Sequence, residues 1–327
     1  MRLLPGTIVC VLLAALATLL GSRLPIVGAP VFAILMGVAL AAWRAPAPTL
    51  APGISFASKT LLQASIVLLG ANLSLAQIVR GGSSALPVML GTFVLVLLLA
   101  VACGRILGLD RELRRLIGIG TAICGGSAIA AVASVSDVDR SDVAYALGTV
   151  FFFNVIAVLA FPPIGHALAL SQTAFGLWAG TAINDTSSVV AAAFAYGHEA
   201  GNGAVVVKLT RTLLIVPIVL FYGWRRIASS RASGHRIAWL QVFPWFILWF
   251  LAAAAAETLG LVPGAWREPL QRTAVFTIVV ALAGVGLSSD VARMRSAGLR
   301  PLVLGAILWI SIATSSLAIA HVTNAPH

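Results

Sequence analysis

Charged side chains are scarce in this sequence: Asp, Glu, Lys and Arg make up 9% of 327 residues, where a soluble domain carries about 25%. So little polar surface excludes soluble enzyme folds, disordered tails and nucleic-acid binders. Cysteine is almost absent as well. Cys10, Cys103 and Cys124 stand in neither paired nor metal-ligand spacing, which leaves no disulfide framework and no metal site to expect. There is no Walker loop, G-x-S-x-G elbow, H-E-x-x-H pair or dinucleotide fingerprint, so neither ATP-driven transport nor hydrolase chemistry is supported. No enzyme activity, cofactor or nucleic-acid partner is expected.

What the sequence holds instead is 60% hydrophobic residues at a mean hydropathy of +1.03. A bilayer core takes about 20 apolar residues as helix, and polar interruptions cut this chain into about eleven such segments. They fall at 3–21, 24–43, 58–79, 86–107, 116–135, 143–165, 174–196, 203–224, 239–257, 270–289 and 301–321. The first follows Met1-Arg2 without an A-x-A-like cleavage site after it, and is taken as a span rather than a signal peptide. The expectation is an all-α polytopic membrane protein of about 9 to 11 transmembrane helices, one transporter domain over 1–327.

The net charge of +11 then reads as topology. Of the 21 basic residues, fourteen fall on the N-terminal side of alternate connections and five on the other, with Lys208 and Arg211 inside a span. The positive-inside rule therefore places the N-terminus in the cytoplasm of a bacterial inner membrane.

Two internal repeats organise the chain. Gly120-Thr121-Ala122-Ile123 followed by Cys124-Gly125-Gly126-Ser127 returns sixty residues later as Gly180-Thr181-Ala182-Ile183 followed by Asn184-Asp185-Thr186-Ser187. Gly70, Leu73, Ser74, Pro87, Leu90 and Gly91 return 214 residues later as Gly284, Leu287, Ser288, Pro301, Leu304 and Gly305. Segments 58–107 thus pair with 270–321, and 116–165 with 174–224. The second pair is inverted by span count. The first would be parallel if its segments cross fully, and inverted if both re-enter, each as two half-helices around a non-helical tip.

The tips Cys124-Gly125-Gly126-Ser127 and Asn184-Asp185-Thr186-Ser187 are poor helix formers within apolar runs. A break there frees backbone N–H groups, tolerable in a bilayer only inside protein or a water-filled cavity, and a half-helix N-terminus suits an anion. Lys208 and Arg211, three positions apart near mid-membrane, need partners. Asp185 is the obvious candidate and an anionic substrate the second. These ten residues, Cys124 to Ser127, Asn184 to Ser187, Lys208 and Arg211, form the expected substrate site. Gln63, Asn72, Asn154 and Thr210 are lesser cavity candidates, and Asp137, Asp139 and Asp142 read as a solvated loop cluster.

The runs GIGTAICGGSAIAAVASV, GLWAGTAINDTSSVVAAAFAYG and VKLTRTLLIVP, with GLSSD to GLRPL near the C-terminus, resemble the YeiH-type sulfate exporter family of bacterial inner-membrane proteins. The resemblance implies a secondary transporter related to the cation/proton antiporter and bile-acid-carrier superfamily, with inverted repeats, broken helices at mid-membrane and a homodimeric assembly. It places Gly125 and Gly126 on the family's Cys-Gly tip, Lys208 and Arg211 on its Lys-x-x-Arg helix, and Asp185 on its acidic position. Family members usually carry His before that acid. Asn184 stands there in this chain, which removes a titratable group. The expectation is alternating-access export of a small inorganic anion, sulfate or a related sulfur oxyanion. A proton-coupled cation antiporter using Asp185, or a non-transporting scaffold or sensor, are the competing readings.

Overall fold

The computed structural model describes residues 3–24, 28–136, 138–229, 245–289 and 298–322. The described residues are helical throughout, without strands. Helices α1 (Leu4–Arg23), α2 (Gly28–Trp43), α3 (Ala51–Gly70) and α4 (Leu75–Ile106) open the chain. There follow α5 (Arg111–Ala122), α6 (Gly126–Val135), α7 (Arg140–Ala167), α8 (Gln172–Ala182), α9 (Thr186–Tyr196), α10 (His198–Thr212) and α11 (Ile215–Ser229). The chain closes with α12 (Phe246–Thr258), α13 (Gly264–Leu287) and α14 (Leu299–Val322). Among the described residues, seven helices are long and apolar enough to cross a membrane, α10 and α11 counting as one; α2, α9 and α12 are shorter apolar helices. The protein is a polytopic α-helical membrane protein.

Expected boundaries shift most between α3 and α4. The stretch Arg80-Gly81-Gly82-Ser83-Ser84 was expected to separate two spans, and instead lies inside the 32-residue α4. The break falls at 71–74, where a reciprocal cap starts the new helix: Ser74 Oγ accepts from the Gln77 N–H at 3.2 Å and Gln77 Oε1 accepts from the Ser74 N–H at 2.9 Å. Two satisfied backbone donors outweigh the polarity of Arg80 as a stop signal. Of the expected span 239–257, residues 239–244 lie outside the described residues.

Glycine contacts fix the helix directions. A Cβ on Gly104 would meet Arg114 and one on Gly118 would meet Ala100, so α5 runs back antiparallel along α4. A Cβ on Gly120 would touch Ile129 at 2.7 Å, a contact available only if the chain reverses between α5 and α6. Glu112, before the turn, lines one cleft with Ser136, Asp139 and Asp142, after it. Segment 116–135 is therefore a re-entrant hairpin that returns to the face it entered from. The second copy does the same from the opposite face: Phe175, early in α8, stacks on Tyr196, at the end of α9, with ring centroids 3.8 Å apart. The two hairpins thus open to opposite ends of the array.

Two apolar clusters hold the array. One packs α5 to α8 with α11 and α14 around Ile117, Ile129, Phe161 and Leu308. The other packs α1, α2, α3, α12 and α13 around Ile34, Ile66, Phe250 and Ile278. Helices α9 and α10 contribute to both and lie between them. Backbones approach closely within the second cluster, where Gly37 of α2 meets Gly286 of α13 and Gly6 of α1 meets Gly53 of α3. Packing of small residues substitutes for the hydrophobic drive that lipid removes.

Candidate functional site at the crossing of two hairpins

Each hairpin turns where its sequence cannot continue a helix. Gly125 has φ +67° and ψ −126°, a conformation open to glycine, and α6 begins at the next residue. In the second hairpin α8 stops at Ala182 and Asp185 caps α9, accepting from the Ser187 N–H at 2.9 Å and the Ser188 N–H at 3.3 Å through Oδ2. Ser187 Oγ also donates to Asp185 Oδ2. The two tips meet: a Cβ on Gly125 would lie 3.6 Å from the backbone nitrogen of Asp185.

Lys208 and Arg211 of α10 are fully buried at this crossing, at 0% exposure. Their partners differ from the sequence expectation. Lys208 Nζ donates to the carbonyl oxygens of Ile123, at 3.0 Å, and Ile183, at 2.7 Å. Arg211 Nε donates to Ala122 O at 2.7 Å, and Nη1 donates to Thr181 O. Asp185 makes no ion pair among the described residues; its carboxylate is engaged by its own helix N-terminus. The physical reason lies in the helix ends. Each of α5 and α8 ends with unpaired carbonyls carrying about half a negative charge, and a buried carbonyl without a donor is costly. Two cations on one helix satisfy both ends at once. Burying an ion costs several kcal/mol, and charge-assisted hydrogen bonds to aligned carbonyls offset that cost.

The remaining expected residues divide by accessibility. Cys124, Asn184 and Ser187 are buried, Gly126, Asp185 and Thr186 half-buried, and Ser127 exposed. The thiol of Cys124 faces the Ala128 N–H, while the cap position Gly125 offers no side chain to the N-terminus of α6. The repeat-equivalent position on α9 is occupied by the Asp185 carboxylate. Asn154 of α7, only a lesser candidate from sequence, holds the second tip: its Oδ1 accepts from the Asp185 N–H at 3.3 Å. Among the described residues, Asn154 Nδ2, Asn184 Oδ1, Thr149 Oγ1, Thr181 Oγ1 and Arg211 Nη2 are buried polar atoms without a hydrogen-bond partner. Such groups mark places for water or a ligand. Thr149 and Thr181 were not expected from sequence. Gln63 is exposed and Asn72 donates to Leu68 O at the end of its own helix, so neither joins the crossing.

The family model of conserved hypothetical protein 698 matches residues 5–305. A UPF0324 membrane protein of Streptococcus pneumoniae serotype 4 is 42% identical over 320 residues, covering 95% of either chain. Another from Streptococcus mutans is 40% identical over 330 residues, covering 97% of this chain and 96% of that one. A third, from Streptococcus pyogenes serotype M18, is 42% identical over 327 residues with the same coverage. These names state a membrane protein and no activity. The hairpins, their crossing and the helix that clamps them all lie within the matched residues, and the chain belongs to the conserved hypothetical protein 698 family, together with these UPF0324 membrane proteins.

Proposed function

We propose that the protein is a secondary transporter that exports a small inorganic anion, sulfate or a related sulfur oxyanion, by alternating access at the hairpin crossing. The carrying observation is the charge balance there. Lys208 and Arg211 supply two positive charges, against which stand Asp185 and the carbonyl ends of α5 and α8. At about half a charge per helix end, those negative contributions sum to about two. The N-termini of α6 and α9 then add about one positive charge in surplus. A cation site would show the opposite sign. Asp185 already serves α9, which leaves the uncapped N-terminus of α6, with Gly126 and exposed Ser127, as the anion's place.

The basic bias of the connections supports a cytoplasmic N-terminus. A divalent anion leaving a cell whose interior lies at about −100 mV gains roughly 4.6 kcal/mol, so efflux needs no further driving force. The resemblance to YeiH-type exporters agrees with that direction. Helices α9 and α10 lie between the two apolar clusters, where relative movement of the clusters would change access to the tips.

Sulfate efflux from preloaded proteoliposomes, with and without an imposed potential, tests this reading against a Ser127→Asp variant. The added carboxylate sits in the first turn of α6, where it suits the helix and occupies the anion's place. The expected result is potential-driven flux in the parent and none in the variant, with thermal unfolding undiminished. Absence of sulfate flux from folded parent protein, or equal flux in the variant, overturns it. Proton-coupled cation flux would assign the same fold to a cation antiporter.

A further inference from the structure

Among the seven spans long enough to cross, α3 is unlike the rest. Every other one presents exposed large apolar side chains, such as Leu12 and Leu16 on α1, Leu98 on α4, Leu159 on α7, Leu213 on the α10–α11 span, Phe276 on α13 and Ile310 on α14. Helix α3 presents none. Its exposed stripe from 55 to 64 consists of Ser55, Lys59, Thr60, Gln63 and Ala64, while Ile54, Ala57, Ile66 and Leu69 of the opposite side are buried. Its hydropathy of 1.3 is the lowest of the seven. The stripe begins near the end of the array that holds the start of α1, because a Cβ on Gly53 would meet Leu3. Arg300 approaches Gly108 at this same end of the array, beside the start of α5. At 1.5 Å per residue, Lys59 and Gln63 lie about 12 and 18 Å along the helix from Ala51, well inside a hydrocarbon layer of ~30 Å.

A lysine, a glutamine and a threonine turned toward lipid at that depth would each carry a desolvation cost with nothing to offset it. Polar faces at membrane depth occur where water reaches them. The same stretch, Phe56–Leu61, is wound as a π-helix, a form concentrated at functional sites. Helix α6 has the matching property: its exposed residues among 126–133 are Ser127 and Ala130, with no large apolar side chain. Its hairpin opens to the same end of the array.

We propose that the Lys59–Gln63 face of α3 lines a water-filled crevice running from the arginine-rich end of the protein to the hairpin tips, with Lys59 as the cation that draws small anions into it. The role of Lys59 rests on the anion reading above; the crevice stands on the exposure pattern alone. A positive charge in a low-dielectric cleft raises the local concentration of anions and the rate at which they enter.

Single cysteines in a Cys103→Ser background test this, because Cys10 and Cys124 are buried. Lys59→Cys, Thr60→Cys, Gln63→Cys and Ser127→Cys are treated with a membrane-impermeant anionic thiosulfonate in vesicles of both orientations. Leu12→Cys and Leu98→Cys, also exposed but on apolar faces, are the lipid controls. The expected result is labelling at the four crevice positions from one side only, at least tenfold faster than at the controls, in protein that remains monodisperse. Gln63→Cys and Thr60→Cys as refractory as Leu98→Cys would overturn the crevice. Excess sulfate should slow labelling at Ser127→Cys, and Lys59→Gln should lower the labelling rate there several-fold. Labelling that ignores both sulfate and Lys59 upholds the crevice and overturns the anion reading with the role of Lys59.

Discussion

Ile123 and Ile183, sixty positions apart and equivalent in the internal repeat, present their carbonyl oxygens to a single ammonium group, Lys208 Nζ, at 3.0 and 2.7 Å. Arg211 also reaches both hairpins, donating to Ala122 O and Thr181 O, which stand one residue out of register in the repeat. A single helix, α10, thus closes both hairpins by their carbonyl ends. Its two cations are structural partners of the backbone before they are partners of any anion.

Removing the clamp should therefore destabilise the protein with no anion present. Lys208→Met leaves two buried carbonyl ends without their donor, for which a cost of about 3–5 kcal/mol is expected, as for breaking a buried ionic contact. Thermal unfolding in detergent, in buffer free of oxyanions, reads the effect. A variant as stable as the parent would show that the carbonyls find other donors and that the clamp carries no weight.

At Gly125 the expected cost is conformational. With φ at +67° and ψ at −126°, an alanine is strained whatever space surrounds it, and its Cβ would lie 3.3 Å from Val150 Cγ1. Gly125→Ala should lose roughly 1–3 kcal/mol of stability. Gly203→Ala, where a Cβ meets nothing within 4 Å, is the matched control in a helix and should be neutral or slightly stabilising. Equal unfolding temperatures for the two would refute a strained tip.

Much of this site was legible before the fold was known, for identifiable reasons. The tips announce themselves because Gly125-Gly126 and Asn184-Asp185 interrupt apolar runs, and Lys208 and Arg211 because charge is rare in such runs. Their partners were not legible. A backbone carbonyl carries no mark in sequence, so a carboxylate, Asp185, was the only visible counter-charge, although its own helix N-terminus holds it. Hydropathy could not decide between crossing and re-entry either, since two half-helices total the same apolar length in both. The contact of Gly120 with Ile129 decides it. In the sequence Gln63 stands only as a lesser cavity candidate, and the stripe it shares with Lys59 becomes visible only once the buried side of α3 is known.

The re-entrant topology has a direct test. Ser136, after α6, and Leu168, after α7, should lie on opposite faces of the membrane, whereas Ser136 should share a face with Ile106 at the end of α4. Accessibility of Ser136→Cys, Leu168→Cys and Ile106→Cys to an impermeant thiol reagent in vesicles of known orientation gives the answer. Labelling of Ser136→Cys and Ile106→Cys from different sides would mean that segment 116–135 crosses fully.

Asp185 sets the expected strength of anion binding. Its carboxylate lies beside Gly125 at the tip of the first hairpin, and Lys208 and Arg211, both on α10, are the buried cations of the crossing. With the Asp185 carboxylate counted, the surplus at the crossing is about one positive charge; without it, the surplus is about two. A divalent oxyanion should therefore be held more tightly once that negative charge is removed. Binding of sulfate to purified protein, followed by calorimetry, should be stronger in Asp185→Asn, which keeps an oxygen for the α9 cap but carries no charge, than in the parent. Equal affinities would remove Asp185 from the anion's surroundings and leave it as a helix cap alone.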